Sequence, residues 1–144
     1  MKDLGKTKFC IGLQIEHLHS GILVHQSVYI QKILEKFNMD KSYPAKAPMV
    51  VRSIDLEKDV FRPREEEILG SEFLYLSLIG ALMYLANSTR PYIAFAVNLL
   101  ARHNSSPTKR HWVGGKQILR YLNGTKDLGF VLSEKPKSYI GWIH

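Results

Sequence analysis

Nucleotidyl transfer through two metal ions needs carboxylates that converge on one point. In this chain Asp3, Asp40, Asp55, Asp59 and Asp127 stand far apart in connectors and turns, and Glu65-Glu66-Glu67 reads as a solvated charge patch. No two-metal cluster is legible. His17, His19 and His25 lie close enough along the chain to approach one another as imidazole ligands. They lack a fourth ligand at a matching spacing, and read as exposed turn histidines. Cys10 is the single cysteine, so neither an intrachain disulfide nor a thiolate zinc site can be built. It reads as a small apolar packing residue. There is no glycine-rich phosphate loop and no nucleophile motif. The expectation is a chain with no catalytic residue, no metal site and no cofactor of its own.

What remains is binding chemistry. The formal charge of +7 is uneven: between Glu72 and Asp127 the chain carries Arg90, Arg102, Lys109, Arg110, Lys116, Arg120 and Lys126 and no acidic residue. A one-signed block inside a patterned region fits a polyanion partner, because neutralising phosphates releases counterions. The same block also fits a solvated basic face with no partner. Trp112 lies among Lys109, Arg110 and Lys116, where it can make a cation-π contact or serve as core. Gly12 interrupts a good strand pattern, as glycine does where a backbone or ligand comes close. Gly80 shares a helix face with Leu76 and Tyr84, and suits either helix–helix packing or the approach of a nucleic-acid backbone.

The elements that must position these residues follow from periodicity. Phe9, Ile11, Leu13 and Ile15 alternate with polar or small residues, which predicts one strand, and Ser20-Gly21 turns the chain into a second strand over 22–26. Ser27 is the expected N-cap of a helix carrying Ile30, Ile33, Leu34 and Phe37, with Asn38 as its stop. Residues 39–71 read as an irregular, mobile linker containing Pro44, Pro48 and Pro63. A helix is expected over 72–87, with Leu74, Leu78, Leu82 and Leu85 as its stripe. Pro91 opens a further helix to about His103, and Pro107 opens a third that reaches Leu122 and stops at Asn123-Gly124. Gly114-Gly115 weakens that third helix. Two strands, 128–132 and 139–143, form a terminal hairpin around Glu134-Lys135-Pro136-Lys137. The fold class is α+β, divided as 1–38 (hairpin and helix), 39–71 (linker), 72–126 (basic three-helix lobe) and 127–144 (C-terminal hairpin). At 144 residues and 45% hydrophobic content a modest core is within reach. The absence of a leader or of a long apolar run points to an intracellular, non-membrane protein.

Several strings then resemble a known family in order and spacing. They are Met1-Lys2-Asp3-Leu4-Gly5, Phe9-Cys10-Ile11-Gly12-Leu13-Gln14-Ile15, Gln26-Ser27-Val28-Tyr29-Ile30, Ile79-Gly80-Ala81-Leu82-Met83-Tyr84-Leu85-Ala86-Asn87, Thr89-Arg90-Pro91, His111-Trp112 and Ile118-Leu119-Arg120-Tyr121-Leu122-Asn123-Gly124-Thr125. Together they resemble the segment that follows the catalytic motif in copia-type retrotransposon Pol polyproteins, especially those of plants. Such elements encode reverse transcriptase followed by RNase H. The resemblance implies that the hairpin over 9–26 is similar to the primer grip, and that the helix over 76–87 is similar to the thumb helix tracking the minor groove of the primer–template. Residues 89–126 are similar to the rest of the thumb and the connection.

By the same resemblance the Tyr-x-Asp-Asp motif lies upstream of Met1, and His144 stands where the first RNase H aspartate is expected. The family's magnesium therefore belongs to carboxylates this chain lacks. Tyr92 stands where the family usually has Asp, and Gly114-Gly115 where better helix formers are usual. The expected role is primer–template holding without independent catalysis. Its nucleic-acid-binding residues are expected to be Gly12, Gln14, Gly80, Tyr84, Arg90, Lys109, Arg110, Lys116 and Arg120. The expected partner is an RNA–DNA or DNA duplex, bound weakly and without sequence preference; the oligomeric state stays open. A co-opted stand-alone nucleic-acid-binding protein and a non-functional element relic are the alternatives.

Overall fold

A computed structural model describes residues 8–49, 72–105, 107–133 and 141–143. Two β-hairpins and a helical lobe build it, in the α+β class expected. In chain order the strands β1 (Phe9–Cys10), β2 (Leu13–Leu18) and β3 (Gly21–His25) precede helix α1 (Ser27–Lys36). Helices α2 (Glu72–Ser88), α3 (Ala94–Ala101) and α4 (Lys109–Thr125) follow, with a 3-10 turn over Pro91–Ile93 between the first two. Strands β4 (Gly129–Ser133) and β5 (Gly141–Ile143) close the chain. All five strands form one antiparallel sheet in the order β1-β2-β3-β4-β5. The two hairpins, expected apart, are thus one sheet, with Leu23 opposite Val131. The helical lobe is an excursion between β3 and β4.

The first strand is not continuous as the alternation suggested. Ile11 and Gly12 both take positive φ, 50° and 76°, and Cys10 pairs directly with Leu13 across them. Two central residues of positive φ make the short turn whose twist matches an antiparallel pair, and glycine lowers its cost. Helix α1 buries Ile30, Ile33, Leu34 and Phe37 as its spacing demands, and Asn38 ends it at φ 56°. Its N-cap is Gln26 rather than Ser27. Gln26 is fully buried and its Oε1 accepts a 2.6 Å hydrogen bond from Thr89 Oγ1, which draws the start of α1 onto the end of α2.

Helix α2 buries Tyr75, Leu78, Ile79, Leu82 and Leu85, but Leu74 faces outward. The expected leucine stripe is therefore displaced by one residue at its start, because apolar side chains surround this helix on every side. Tyr75 is sealed in the core; burial pushes its phenol up to about 12, and its Oη donates to the Leu100 carbonyl at 2.6 Å. Helix α4 begins at Lys109 and not at Pro107. Thr108 is its N-cap, and His111 Nδ1 reaches back to accept the Thr108 backbone N–H at 2.9 Å. Gly115, a liability for helix propensity, is where α2 and α4 meet: a Cβ there would lie 2.6 Å from Leu78 Cδ2. The part of the linker over 39–49 has neither helix nor strand, while 50–71 and the 134–137 turn lie outside the described residues.

Candidate nucleic-acid interface

A helix that is apolar all round has more than one face to cover. The inward face of α2 is packed in the core, yet Leu76, Gly80 and Met83 are exposed on the opposite side. Among the described residues, and apart from its own helix, nothing lies within 4 Å of the position a Gly80 Cβ would take. Of the two roles open to Gly80, packing against another helix is not what it does among the described residues. An open surface is.

One turn further on, Tyr84 ties this helix to the strand hairpin. Its Oη donates to the Ile11 carbonyl, and its ring meets Tyr29 edge-on at 5.0 Å. A Cβ at Gly12 would come within 3.0 Å of the Tyr84 hydroxyl, so Gly12 serves both the turn and the close approach. Burial, with Tyr84 adding to it, pushes the Tyr29 phenol upward. Gly12, Gly80 and Tyr84 are therefore brought together on one side of the molecule.

Arg90 and Gln14 are brought elsewhere. Arg90 is fully buried. Its Nη2 donates to the carbonyls of Thr125, Lys126 and Leu128 at 2.7, 3.3 and 3.1 Å, and its Nη1 donates to Tyr92 Oη at 2.6 Å and Thr125 Oγ1 at 3.1 Å. The guanidinium closes the C-terminal end of α4, where unpaired carbonyls and the helix dipole favour a cation, and it cannot reach a phosphate. Gln14 half-caps α1: its Oε1 accepts the Ser27 hydroxyl and the Val28 backbone N–H, each at 2.9 Å. Both residues hold helix ends in place.

On α4, Lys109 and Lys116 are exposed, while Arg110 and Arg120 are half-buried. Arg120 Nε donates to the Tyr43 carbonyl at 2.9 Å, Asn123 Nδ2 to that of Ser42 at 2.8 Å and Gln117 Nε2 to that of Ala47 at 3.1 Å. This row of bonds lays the 42–47 segment along α4, so Arg120 is a brace first. Trp112 fills both roles open to it: half-buried against the core, its ring stands 6.1 Å from Phe37, and Lys116 Nζ sits 5.8 Å from its centroid. Sequence reasoning missed Lys36, whose Nζ donates to Ser77 Oγ at 2.7 Å and lies 5.6 Å from the Phe37 ring. Ser77 stands one turn before Gly80 on α2, and no local pattern links α1 to that position.

Of the histidines, His25 is engaged with Glu16 at 3.1 Å and Ser27 at 3.0 Å. Among the described residues no three His, Cys, Asp or Glu side chains gather where a metal could bind. Asp3, Asp55, Asp59, the Glu65 to Glu67 run and His144 lie outside them. No helix among the described residues is long and apolar enough to cross a membrane.

No protein-family model and no solved structure matches the chain. Curated relatives do. It is 37% identical over 127 residues to a retrovirus-related Pol polyprotein from transposon TNT 1-94 of Nicotiana tabacum, covering 87% of this chain and 10% of that one. It is 32% identical over 135 residues to a retrovirus-related Pol polyprotein from transposon RE2 of Arabidopsis thaliana, covering 93% and 9%. An uncharacterized mitochondrial protein of Arabidopsis thaliana is 32% identical over 137 residues, 95% of this chain and 54% of that one. The chain thus spans about a tenth of the length of the Pol polyproteins it matches.

Proposed function

We propose that this transposon-derived Pol region is the primer–template-holding part of a reverse transcriptase, with α2 laid against the duplex. The observation that carries the reading is the open face at Gly80: a helix interior keeps a destabilising glycine, about 1 kcal/mol worse than alanine, at a point where nothing in the described chain needs the space. A flat strip flanked by Leu76 and Met83 allows a sugar–phosphate edge to come close to the helix backbone. Tyr84 fixes that strip relative to the Ile11-Gly12 turn, the grip-like element of the resemblance. Lys109 and Lys116 supply charge, while Arg90 holds the end of the helix that carries them. The described residues are assigned holding and not bond-making. The magnesium chemistry of the family is assigned to carboxylates outside them.

Binding of a short RNA–DNA hybrid and of a DNA duplex, followed by fluorescence anisotropy across a salt series, tests this. Three or four simultaneous phosphate contacts give a log-log slope of about −3 for a duplex, and two unrelated sequences are expected to bind alike. A chain that folds cooperatively yet binds neither duplex at low salt contradicts the reading and leaves the relic as the better account.

A further inference from the structure

We infer that Lys36 and Lys116, joined through Phe37 and Trp112, form a phosphate track that carries one nucleic-acid strand from the Gly80 face of α2 onto α4; this rests on the proposed duplex-holding role. The residues come from three helices and touch in sequence. Ser77 on α2 accepts from Lys36 Nζ at 2.7 Å, and that ammonium stands 5.6 Å from the Phe37 centroid. Phe37 meets Trp112 at 67° with centroids 6.1 Å apart, and Lys116 Nζ stands 5.8 Å from the indole.

Three features make this a site for a polyanion. Among the described residues neither ammonium has a carboxylate partner, and Glu35, next to Lys36 in sequence, is instead held by Gln31 Nε2 at 2.9 Å. Each ammonium stands within cation-π range of an aromatic ring, a contact that restrains the side chain, so less of its freedom is lost when a phosphate arrives. Both charges are exposed, and Lys36 is fastened one helical turn from Gly80, where a backbone would leave the open face. A neutral hydroxyl and a ring quadrupole are weak partners for an ammonium, and a phosphate oxygen displaces them at little cost.

The full chain with Lys36→Gln and Lys116→Gln together tests the inference, against a control carrying Lys8→Gln and Lys41→Gln, two exposed lysines outside the three helices of the track. Losing two phosphate contacts lowers the magnitude of the salt slope by about 2, whereas the control is expected to keep the wild-type slope. In a Trp142→Phe background Trp112 is the sole tryptophan, and its emission is expected to change on duplex addition and to stop responding when Lys116 is also replaced. If the wild type binds and the double variant keeps both the slope and the fluorescence response, the track is wrong while duplex holding stands. If the wild type does not bind at all, the track falls together with the role it rests on.

Discussion

Arg90→Ala is expected to cost about 3–5 kcal/mol, because a hydrogen bond to a charged donor contributes about 1.5–3 kcal/mol and this guanidinium makes several, and so a large fraction of the stability of a domain this size. The substitution uncaps α4: three carbonyls, of Thr125, Lys126 and Leu128, lose a common donor inside the protein, and each buried acceptor left unpaired carries its own penalty. It also opens a cavity at a fully buried position. Tyr92 cannot replace the donor. Its single hydroxyl proton cannot serve three carbonyls, and its ring is held edge-on by Tyr121 at 5.8 Å. Arg90→Lys keeps the charge but loses the fork, and is expected to recover only part of the loss. Urea midpoints decide it: an alanine variant unfolding with the wild type would mean that the network is not holding α3, α4 and β4 together.

Gly21→Ala is expected to have the next largest effect, about 3 kcal/mol, at the upper end of overpacking costs. A Cβ at this position would meet the Leu132 carbonyl oxygen and come within 2.9 Å of Ser133 Cα, both on the backbone of β4. Backbone cannot step aside as a side-chain tip can. The variant therefore has to part β3 from β4 at the Gly21–Ser133 end of the ladder. Hydrogen exchange should show early loss of protection over 129–133 and 21–24, with the amides of α2 still slow. Unchanged protection in β4 would mean that the two hairpins are not one sheet.

Those two residues also mark what the sequence could not disclose. Gly21 was legible as a turn residue, and its hairpin is there, but its reason for being glycine lies in a strand more than a hundred residues later. Period-2 alternation records which face of a strand is buried and does not name its partner. Arg90 counted as one basic group among seven, because composition cannot tell a phosphate contact from a helix cap whose acceptors come from the far end of α4. Local signals did better. The spacing of Ile30, Ile33, Leu34 and Phe37 identified both a helix and its buried side, since few other residues of α1 are apolar. In α2 the same method misjudged Leu74 against Tyr75, because leucines on all sides leave no contrast to read. Gly80 was singled out with two meanings open, and only the empty space around it separates them. Lys36 carried no signal, since its importance comes from Ser77 and Phe37 meeting across two helices.

The measurement that bears most directly on the duplex-holding role is a pair of numbers from Gly80 variants, folding stability and duplex affinity on the same protein. Gly80→Ala removes a glycine from a helix interior into open space, so stability is expected to rise by about 1 kcal/mol, and Gly80→Leu is expected to fold at least as well as the wild type. If the open face receives a nucleic-acid backbone, affinity moves the opposite way: a modest loss for alanine, and a loss of about tenfold or more, roughly 1.4 kcal/mol, for leucine. Variants that fold more stably and bind an RNA–DNA hybrid as tightly as the wild type would contradict the role assigned to α2.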